Sequence, residues 1–309
     1  MPQVKIFAGS ASKYLAEKIA TAYGTQLGDL ELLRFSDGEM APHFNESVRG
    51  AEVFLVQSTF PPADNLMELM LMVDAAKRAS AHKVIVVMPY YGYARQDRKD
   101  KPRVSIGSKV LANAIQSVGA DRLMTCDLHA GQIQGFFDIP VDHLDGSAIF
   151  VPYLRSLNLG NDLIFASPDV GGVVRTRAFA KNFGAEMVVC DKHRKRANEI
   201  ASMQVIGDVE GMDVVLVDDM VDTAGTITQA AKLLKDKGAK TVRAIATHPV
   251  LSGPAYERIE NSVLEELVVS DTIPLRQECS KIKVLSFSEL FARAINNVVT
   301  HESISSLFI

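Results

Sequence analysis

The sequence contains the same short pattern twice. Ile6–Ala8 recurs 158 residues later as Ile164–Ala166, and the eight residues that begin at Gly50 resemble the eight that begin at Gly211. Each copy leads through a loop into an amphipathic helix. The period is too long for a solenoid repeat, in which each unit has 20–50 residues. The repetition therefore predicts two similar domains, each large enough to bury its own core.

Short apolar runs rich in β-branched residues alternate with helical segments in both halves. Strands are predicted at Val4–Ala8, Val53–Gln57, Lys83–Met88, Leu123–Cys126, Leu163–Ala166, Met187–Cys190, Val214–Val217, Val242–Ala246 and Leu267–Val269. Helical spacing is found in 65–80 and 226–237. This alternation predicts an α/β fold in which each domain is a mostly parallel sheet flanked by helices. We expect domains at 1–147 and 148–309, with the C-terminal tail packed back on the first.

Composition excludes several classes of protein. The 309 residues are 47% hydrophobic and 23% charged, which excludes wholesale disorder. A net charge of −4 does not suit nonspecific nucleic-acid binding. No apolar run has the length of a membrane span, and the N-terminus lacks the features of a signal peptide, so we expect a cytoplasmic protein. The three widely spaced cysteines form neither a disulfide framework nor a CxxC metal site and are expected to be reduced core thiols.

The two copies differ where ligands gather in parallel sheets, at the carboxyl ends of the strands. The first copy continues there as Gln57-Ser58-Thr59, whereas the second continues through an acidic, small-residue loop, 218–226. Threonine hydroxyls and amides at the start of a helix suit a phosphate. The acids suit the hydroxyls of a sugar or a hydrated Mg²⁺. The alternative is an ordinary helix cap by Asp222 or Thr223.

Two other strands also end in polar residues. His129 and Asp169 suit a divalent ion, and Gly171-Gly172 permits a close approach of backbone to a diphosphate. Each segment can instead be a structural turn. The basic run 192–196 suits a loop that closes over polyphosphate, although most such runs are solvated surface, and a nucleic-acid patch would need interleaved aromatic residues.

Two further segments carry polar and aromatic residues but do not identify a nucleotide alone. Phe35 suits stacking on a base, with Asp37 and Glu39 as acceptors, and 90–99 combines tyrosines with charges. The alternatives are a turn and a surface loop. The sequence has no P-loop, GxGxxG or HExxH motif. From the residues alone, we expect a two-domain α/β protein that binds a phosphorylated sugar and Mg²⁺.

Together these motifs resemble a known family. Residues 217–226 resemble the phosphoribosyl diphosphate loop of phosphoribosyltransferases, and this fold is implied for both domains. The segments 35–39, 45–50, 93–99, 127–140 and 167–172 resemble, in order, those of class I ribose-phosphate pyrophosphokinases. The resemblance extends from about Phe7 to Phe308, which is nearly the whole chain.

The resemblance implies a transferase of nucleotide biosynthesis. The implied reaction requires Mg²⁺ and transfers the β,γ-diphosphoryl group of ATP to the C1 hydroxyl of ribose 5-phosphate. Its products are AMP and 5-phosphoribosyl 1-diphosphate.

The same resemblance implies roles for individual residues. Lys192 and Arg194 match catalytic positions, and His129 and Asp169 match the Mg²⁺ ligands. The matches to ATP contacts are Phe35, Asp37, Glu39, Arg95, Gln96 and Asp100. Ribose 5-phosphate is implied to bind Arg194, Asp218, Asp219, Asp222, Thr223, Ala224, Gly225 and Thr226.

The resemblance also implies oligomerisation and regulation. Family members are usually homohexamers in which Phe35, Asp37 and Glu39 grip the adenine of a neighbouring subunit. Inorganic phosphate and ADP act at a separate effector site, whose matching positions are Ser47, Arg49, Ser80, Arg103, Ser303 and Ser305. Ser105 and Gly107 depart from the family pattern beside that site. Of the properties that the resemblance implies, regulation by phosphate and ADP is therefore the one most open to change.

Three alternatives differ in what they require. A phosphoribosyltransferase needs only the 217–226 loop and leaves the first domain's motifs without a role. A silent regulatory subunit is expected to have lost charges such as Lys192 and Asp218, yet this chain has them. A nucleic-acid-binding protein is suggested only by 192–196.

Overall fold

The computed structural model describes residues 3–193 and 202–307, with the side chains of residues 161, 192, 193 and 202 excepted. The strands are β1 (Val4–Ala8), β2 (Leu30–Arg34), β3 (Met40–Phe44), β4 (Glu52–Val56), β5 (Lys83–Met88), β6 (Arg122–Cys126), β7 (Val141–Leu144), β8 (Leu163–Ser167), β9 (Met187–His193), β10 (Ser202–Ile206), β11 (Asp213–Val221), β12 (Thr241–Pro249), β13 (Leu267–Ser270) and β14 (Ile282–Leu285). The α-helices are α1 (Lys13–Tyr23), α2 (Asp64–Arg78), α3 (Gly107–Ser117), α4 (Ser147–Ser156), α5 (Val173–Phe183), α6 (Gly225–Asp236), α7 (Ala255–Glu260) and α8 (Ser288–Thr300). Short 3₁₀ helices cover Gly131–Phe136, Gly160–Asp162 and Ile304–Leu307.

The chain divides into two units. The first comprises the residues up to Asp145 and those from Phe287 onward, and the second comprises Gly146–Ser286. The first unit contains a five-stranded parallel sheet in the order β1-β4-β5-β6-β7. A separate antiparallel hairpin, β2-β3, contacts α2, and α8 packs on α1.

The second unit contains a seven-stranded sheet in the order β10-β9-β8-β11-β12-β13-β14. All neighbouring strands are parallel except β9 and β10. The two sheets flanked by helices confirm the α/β fold predicted from the sequence. Parallel strands need crossover connections, and the helical segments between the apolar runs supply them.

The centre of the second sheet shows why its strands are continuously apolar. On β11, Val214 and Leu216 pack with α6 residues such as Ile227, whereas Val215 and Val217 pack on the opposite face with residues such as Phe179. Successive side chains of a strand point to opposite faces, so a strand covered on both sides has no polar alternation. This buried strand leads directly to the acidic residues.

Some predicted boundaries were wrong. The strand expected to end at Cys190 continues to His193 and pairs with β10, so Lys192 and His193 lie in a strand rather than in a loop. The strand expected to end at Val217 continues to Val221, because its hydrogen bonds to β12 extend beyond the apolar run. The hairpin β2-β3 was not predicted, since its residues are polar, apolar and half-exposed in mixed order.

All three cysteines are free thiols. Cys126 and Cys190 are buried, and burial raises the pKa of the Cys190 thiol to about 11. Cys279 is half-buried and its Sγ lies 3.1 Å from Glu260 Oε2, so the expectation of a core thiol was wrong there. In the described parts of the chain, no helix is both long and apolar enough to cross a membrane.

Candidate functional site

An acidic pair lies at the carboxyl end of β11. Asp218 is half-buried and Asp219 is buried, and the Asp219 amide donates to Asp218 Oδ1 at 2.8 Å. Burial, followed by the neighbouring charges of Asp219 and Asp169, raises the pKa of Asp218 well above its usual range. Carboxylates crowded in this way favour a ligand that donates hydrogen bonds or brings positive charge.

The loop 222–226 connects this pair to α6. Ala224 has left-handed backbone angles, φ 58° and ψ 5°, and the helix begins at Gly225 with no side chain capping it. The N-cap position is thus occupied by Ala224 rather than by Asp222 or Thr223. First-turn amides of a helix have no intrahelical acceptor and carry the positive end of its dipole. The loop and the start of α6 therefore suit an anionic group such as phosphate.

A second acidic segment follows β8. The exposed Asp169 accepts a hydrogen bond from the Gly172 amide at Oδ1, at 3.0 Å, and its carbonyl accepts from Ser167 Oγ at 2.6 Å. A Cβ atom on Gly172 would lie only 2.8 Å from Ser167 Oγ. Close packing thus explains this glycine, and the turn presents the Asp169 carboxylate to solvent at the edge that also carries Asp218.

Arg175 belongs to the same region and was not predicted. It lies in the first turn of α5, and its Nη1 is 3.4 Å from Asp219 Oδ1. The pair combines a largely covered guanidinium with a buried carboxylate. No sequence signal marked this arginine, because its distance from Asp219 along the chain hides their proximity in space.

In the first unit, several predicted residues line one cavity of about 510 Å³. Arg95, Gln96 and Asp100, predicted to bind ATP, are there together with His129, predicted to bind metal. The cavity is also lined by residues that were not among the predicted ATP or metal contacts, namely Asp97, Arg98, Val104 and Ser105. Cationic guanidinium groups beside exposed polar side chains suit a polyphosphate.

Gly107, one of the departures from the family pattern, closely approaches this cavity. It is the first residue of α3, and a Cβ atom there would lie 2.6 Å from Gln96 Oε1. Any larger residue at this position would move the Gln96 side chain. The neighbouring Asp97 accepts a hydrogen bond from Gln132 Nε2 at 3.1 Å.

The predicted adenine contacts lie in the turn between β2 and β3. The amide of Phe35 donates to the Glu39 carbonyl at 2.9 Å, and the amide of Glu39 donates to Asp37 Oδ1 at 3.0 Å. Gly38 occupies φ 97°, where other residues are strained. The turn leaves Phe35 56% exposed, so the ring is available to a partner.

The first unit's counterpart of the acidic loop is closed by internal contacts. Gln57, Ser58 and Thr59 are buried, and the Ser58 amide donates to Ser12 Oγ at 2.8 Å. Glu68, from α2, is 1% exposed and accepts from the Ser10 amide at 2.7 Å and from the Ser10 hydroxyl. The first unit therefore uses the polar groups at this strand end for its own hydrogen bonds, whereas the second unit leaves part of its acidic segment accessible to a ligand.

The predicted effector residues all belong to the first unit, and some of them contact one another. Arg49 Nη1 donates to Ser80 Oγ at 3.3 Å, and the Arg49 amide donates to Ser47 Oγ at 3.4 Å. The Ser305 amide donates to Ser303 Oγ at 3.2 Å near the C-terminus. Arg103 is exposed, with φ 64°.

Two of the predicted residues, Lys192 and Arg194, lie partly or wholly outside the residues that the structure describes. The backbone of Lys192 lies in β9 opposite Met203, but its side chain is outside the described residues, as is the whole of Arg194. Within the described part of the chain, no group of three or more His, Cys, Asp or Glu side chains is placed to hold a metal ion. Mg²⁺ commonly uses one or two carboxylates together with substrate phosphates and water, so the exposed Asp169 fits it as a partial ligand set.

Comparisons with known proteins agree with this architecture. Residues 4–119 match the family described as the N-terminal domain of ribose phosphate pyrophosphokinase, and residues 184–309 match the phosphoribosyl synthetase-associated domain. A ribose-phosphate pyrophosphokinase of Porphyromonas gingivalis is 56% identical over 303 residues, covering 98% of this chain and 97% of the relative. The corresponding protein of Wolinella succinogenes is 55% identical over 306 residues, and the match covers 99% of each chain.

A solved structure extends the likeness to three dimensions. Phosphoribosylpyrophosphate synthetase from Mycobacterium smegmatis superposes with a TM-score of 0.92 at 37% sequence identity. The match covers 97% of this chain and 99% of that one. These similarities confirm the resemblance drawn from the motifs: the chain belongs to the ribose-phosphate pyrophosphokinase family of enzymes.

Proposed function

We propose that the protein is a ribose-phosphate diphosphokinase. It transfers the β,γ-diphosphoryl group of ATP to the C1 hydroxyl of ribose 5-phosphate and releases AMP and 5-phosphoribosyl 1-diphosphate. The observation that carries this proposal is the acidic pair followed directly by the 222–226 loop at the carboxyl end of β11. In this segment the acids offer acceptors to the sugar hydroxyls, and the start of α6 offers an anion-binding site to the 5-phosphate.

Ribose 5-phosphate binds, in this proposal, through Asp218 and Asp219 at its hydroxyls and through 222–226 at its phosphate. The raised pKa of Asp218 supports this assignment, because ligand hydroxyls replace the hydration that the crowded carboxylates have lost. Arg194 is proposed as a further contact on the grounds of the family resemblance.

ATP binds through Arg95, Gln96 and Asp100, and its adenine through Phe35, Asp37 and Glu39 of a neighbouring subunit. The cavity shared by Arg95, Gln96 and Asp100 supports the first assignment. The exposed ring of Phe35, in the turn of the β2-β3 hairpin, supports the second, since an aromatic ring in that position can stack on a base. We propose a homohexamer with active sites shared between subunits.

The bond formed is between the C1 oxygen of the sugar and the β-phosphorus of ATP. The bond broken joins that phosphorus to the α,β-bridging oxygen, which leaves with AMP, while the hydroxyl proton passes to solvent. Lys192 and Arg194 are assigned to stabilise the charge on the transferred group, since positioned cations are the main source of catalysis in phosphoryl transfer.

Mg²⁺ is proposed as the metal, with His129 and Asp169 as its protein ligands. When bound, it neutralises part of the triphosphate charge. The oxygen of an exposed carboxylate suits this hard cation, and the Gly172 amide orients the Asp169 side chain.

We further propose that 1–147 and 148–309 act as the two domains, with the tail on the first, and that the protein works in the cytoplasm. Its free thiols fit a reducing compartment. An effector site for phosphate and ADP is proposed at Ser47, Arg49, Ser80, Arg103, Ser303 and Ser305. The contacts from Arg49 to Ser47 and Ser80 support a common site for these three residues.

The test is to separate AMP from ADP chromatographically after incubation with ATP, Mg²⁺ and ribose 5-phosphate. AMP is expected only when the sugar phosphate is present, without any nucleobase. ADP as the product would indicate an ordinary kinase, and no nucleotide product from folded protein would indicate a silent subunit. The same assay with and without inorganic phosphate tests the effector site, which predicts phosphate activation.

A further inference from the structure

The segment that follows β12 holds the carbonyl groups just before α6. The Leu251 amide donates to the Val221 carbonyl at 2.9 Å, and the Ser252 amide donates to the Asp222 carbonyl at 3.0 Å. Arg258 Nη1 donates to the Thr223 carbonyl at 3.0 Å. Three successive carbonyl groups are thus bound by one segment, 251–258, which we call the brace.

The brace also contacts a side chain of the phosphate loop. Ser252 Oγ donates to Asp222 Oδ1, so Ser252 binds both the backbone and the carboxylate of the same residue. Asp222 is the first residue of the 222–226 loop. The brace therefore fixes where the loop leaves the strand.

The contact from Arg258 bears on the most constrained part of the loop. Ala224, the next residue after Thr223, has φ 58°. This left-handed conformation costs a non-glycine residue free energy, so it persists only where the surrounding structure holds it. A Cβ atom on Gly225 would lie 3.2 Å from Arg258 Nη1. The same guanidinium thus binds the carbonyl before Ala224 and explains the glycine after it.

We propose that Arg258 is a positioning residue for ribose 5-phosphate. By holding the Thr223 carbonyl it keeps the backbone of 222–226 in the conformation in which the first amides of α6 bind the 5-phosphate. This inference rests on the proposed function, because it names a determinant of the same sugar-phosphate site. Arg258 lies on α7, 35 positions after Thr223, and its guanidinium contacts the loop from outside it.

The first test compares Arg258→Met with Arg276→Met. Both arginines are exposed and lie in the second unit, so the two variants make the same change of charge and similar changes of shape. Ribose 5-phosphate is titrated calorimetrically without ATP, and KM and kcat are measured separately. For Arg258→Met, Kd and KM for ribose 5-phosphate are expected to rise about tenfold, because a charge-assisted hydrogen bond is lost. KM for ATP is expected to stay unchanged, as is every constant of Arg276→Met.

Conservative replacement separates positioning from packing. Arg258→Lys retains a charged donor and is expected to recover part of the affinity lost in Arg258→Met. A role in packing alone would be filled by methionine as well as by lysine. Equal affinity in these two variants would therefore contradict the proposal.

A double-mutant cycle tests the link to Gly225. Gly225→Ala in the natural background pushes against the guanidinium and strains its bond to the Thr223 carbonyl, so its affinity for ribose 5-phosphate is expected to fall, by less than that of Arg258→Ala. Combined with Arg258→Ala, the same glycine change should add little. Losses that multiply in the double variant would mean that the new methyl group obstructs the ligand itself, and would overturn the coupling.

These outcomes are distinguishable from failure of the proposed function. Natural protein that neither binds ribose 5-phosphate nor forms AMP overturns both proposals. Natural protein that forms AMP, with Arg258→Met unchanged in Kd and KM, overturns only the role of Arg258. A fall in kcat with KM unchanged also contradicts it, because positioning of a ground-state ligand must appear in binding.

Discussion

The guanidinium of Arg175 lies 3.4 Å from the carboxylate of Asp219, measured between Nη1 and Oδ1. The Asp219 side chain is 5% exposed and stands next to Asp218, so two acids share one end of a buried strand. A buried carboxylate is stable only when it is paired or hydrogen-bonded. Arg175 supplies a positive charge of this kind from α5.

Arg175→Met is expected to weaken both the fold and the sugar site. Removing Arg175 takes a positive charge away from the buried Asp219 carboxylate, which should lower the free energy of unfolding by about 1–3 kcal/mol. KM for ribose 5-phosphate should rise more than KM for ATP, because the acidic pair is proposed to bind the sugar and not the nucleotide. Urea unfolding and steady-state kinetics measure the two effects.

Arg177→Met serves as the control for this change. Arg177 lies on the same helix, carries the same charge and is exposed. Its replacement should leave the free energy of unfolding nearly unchanged. KM should change by no more than about twofold. If both variants behave alike, the ion pair of Arg175 has no particular role.

Asp218→Asn is expected to stabilise the unliganded protein at neutral pH while greatly reducing activity. Burial and the charges of Asp219 and Asp169 raise the pKa of Asp218, so folding disfavours its ionised form. Melting of the metal-free protein, followed calorimetrically, should show a Tm increase of about 2–4 °C for each kcal/mol gained.

The pH dependence of this gain has a definite sign. A carboxyl group with a raised pKa in the folded state lowers the free energy of unfolding as pH rises above the pKa that the group has in the unfolded chain, which is about 4. The stability advantage of Asp218→Asn should therefore be absent below about pH 4, grow as pH rises from there to the folded-state pKa, and level off above that pKa. An advantage that is constant with pH would contradict the assigned cause.

Lys192→Ala is expected to lower kcat by about a hundredfold or more while leaving KM for ATP nearly unchanged. The reason is that its charge is needed mainly when negative charge develops on the transferred group. Lys181→Ala, at an exposed position on α5, provides the control. Parallel losses in ATP binding and turnover would indicate that Lys192 anchors the ground state instead.

Glu68→Ala should destabilise the first unit without changing KM for either substrate. The Glu68 carboxylate is buried and accepts from the Ser10 amide and hydroxyl, so its truncation removes both hydrogen bonds and leaves a cavity in the first unit. We expect a cost of about 2–4 kcal/mol in urea unfolding. Glu17→Ala, at an exposed site on α1, should cost little. A selective rise in KM for Glu68→Ala would instead make this end of the first sheet a ligand site.

The sequence predicted the sheet centres and the acidic loop well because both depend on local patterns. The run Val214–Val217 could only be a strand covered on both faces, and the acids and small residues after it could only lie at its carboxyl end. Edge strands were predicted poorly. The hairpin β2-β3 and the outer strands β10 and β14 contain neither a continuous apolar run nor a strict alternation of polar and apolar residues.

Residues that act through others were not predicted at all. Arg258 and Arg175 have no motif of their own, and each reaches its partner across many positions in the chain. Exposed or half-exposed arginines are common on helices, so only a structure distinguishes these two from their neighbours. The different sequence at Gln57 was visible when the two copies were compared, but the buried Glu68, which binds Ser10, was not predicted.

The most direct test of the proposed function is the identity of the phosphorylated sugar formed from ATP and ribose 5-phosphate with Mg²⁺. Phosphorus NMR of the reaction distinguishes a diphosphate at C1, whose two phosphorus atoms couple to each other, from a single phosphate. The account predicts AMP together with the C1 diphosphate in equal amounts. ADP together with a sugar bisphosphate, or AMP without any new sugar diphosphate, would contradict it.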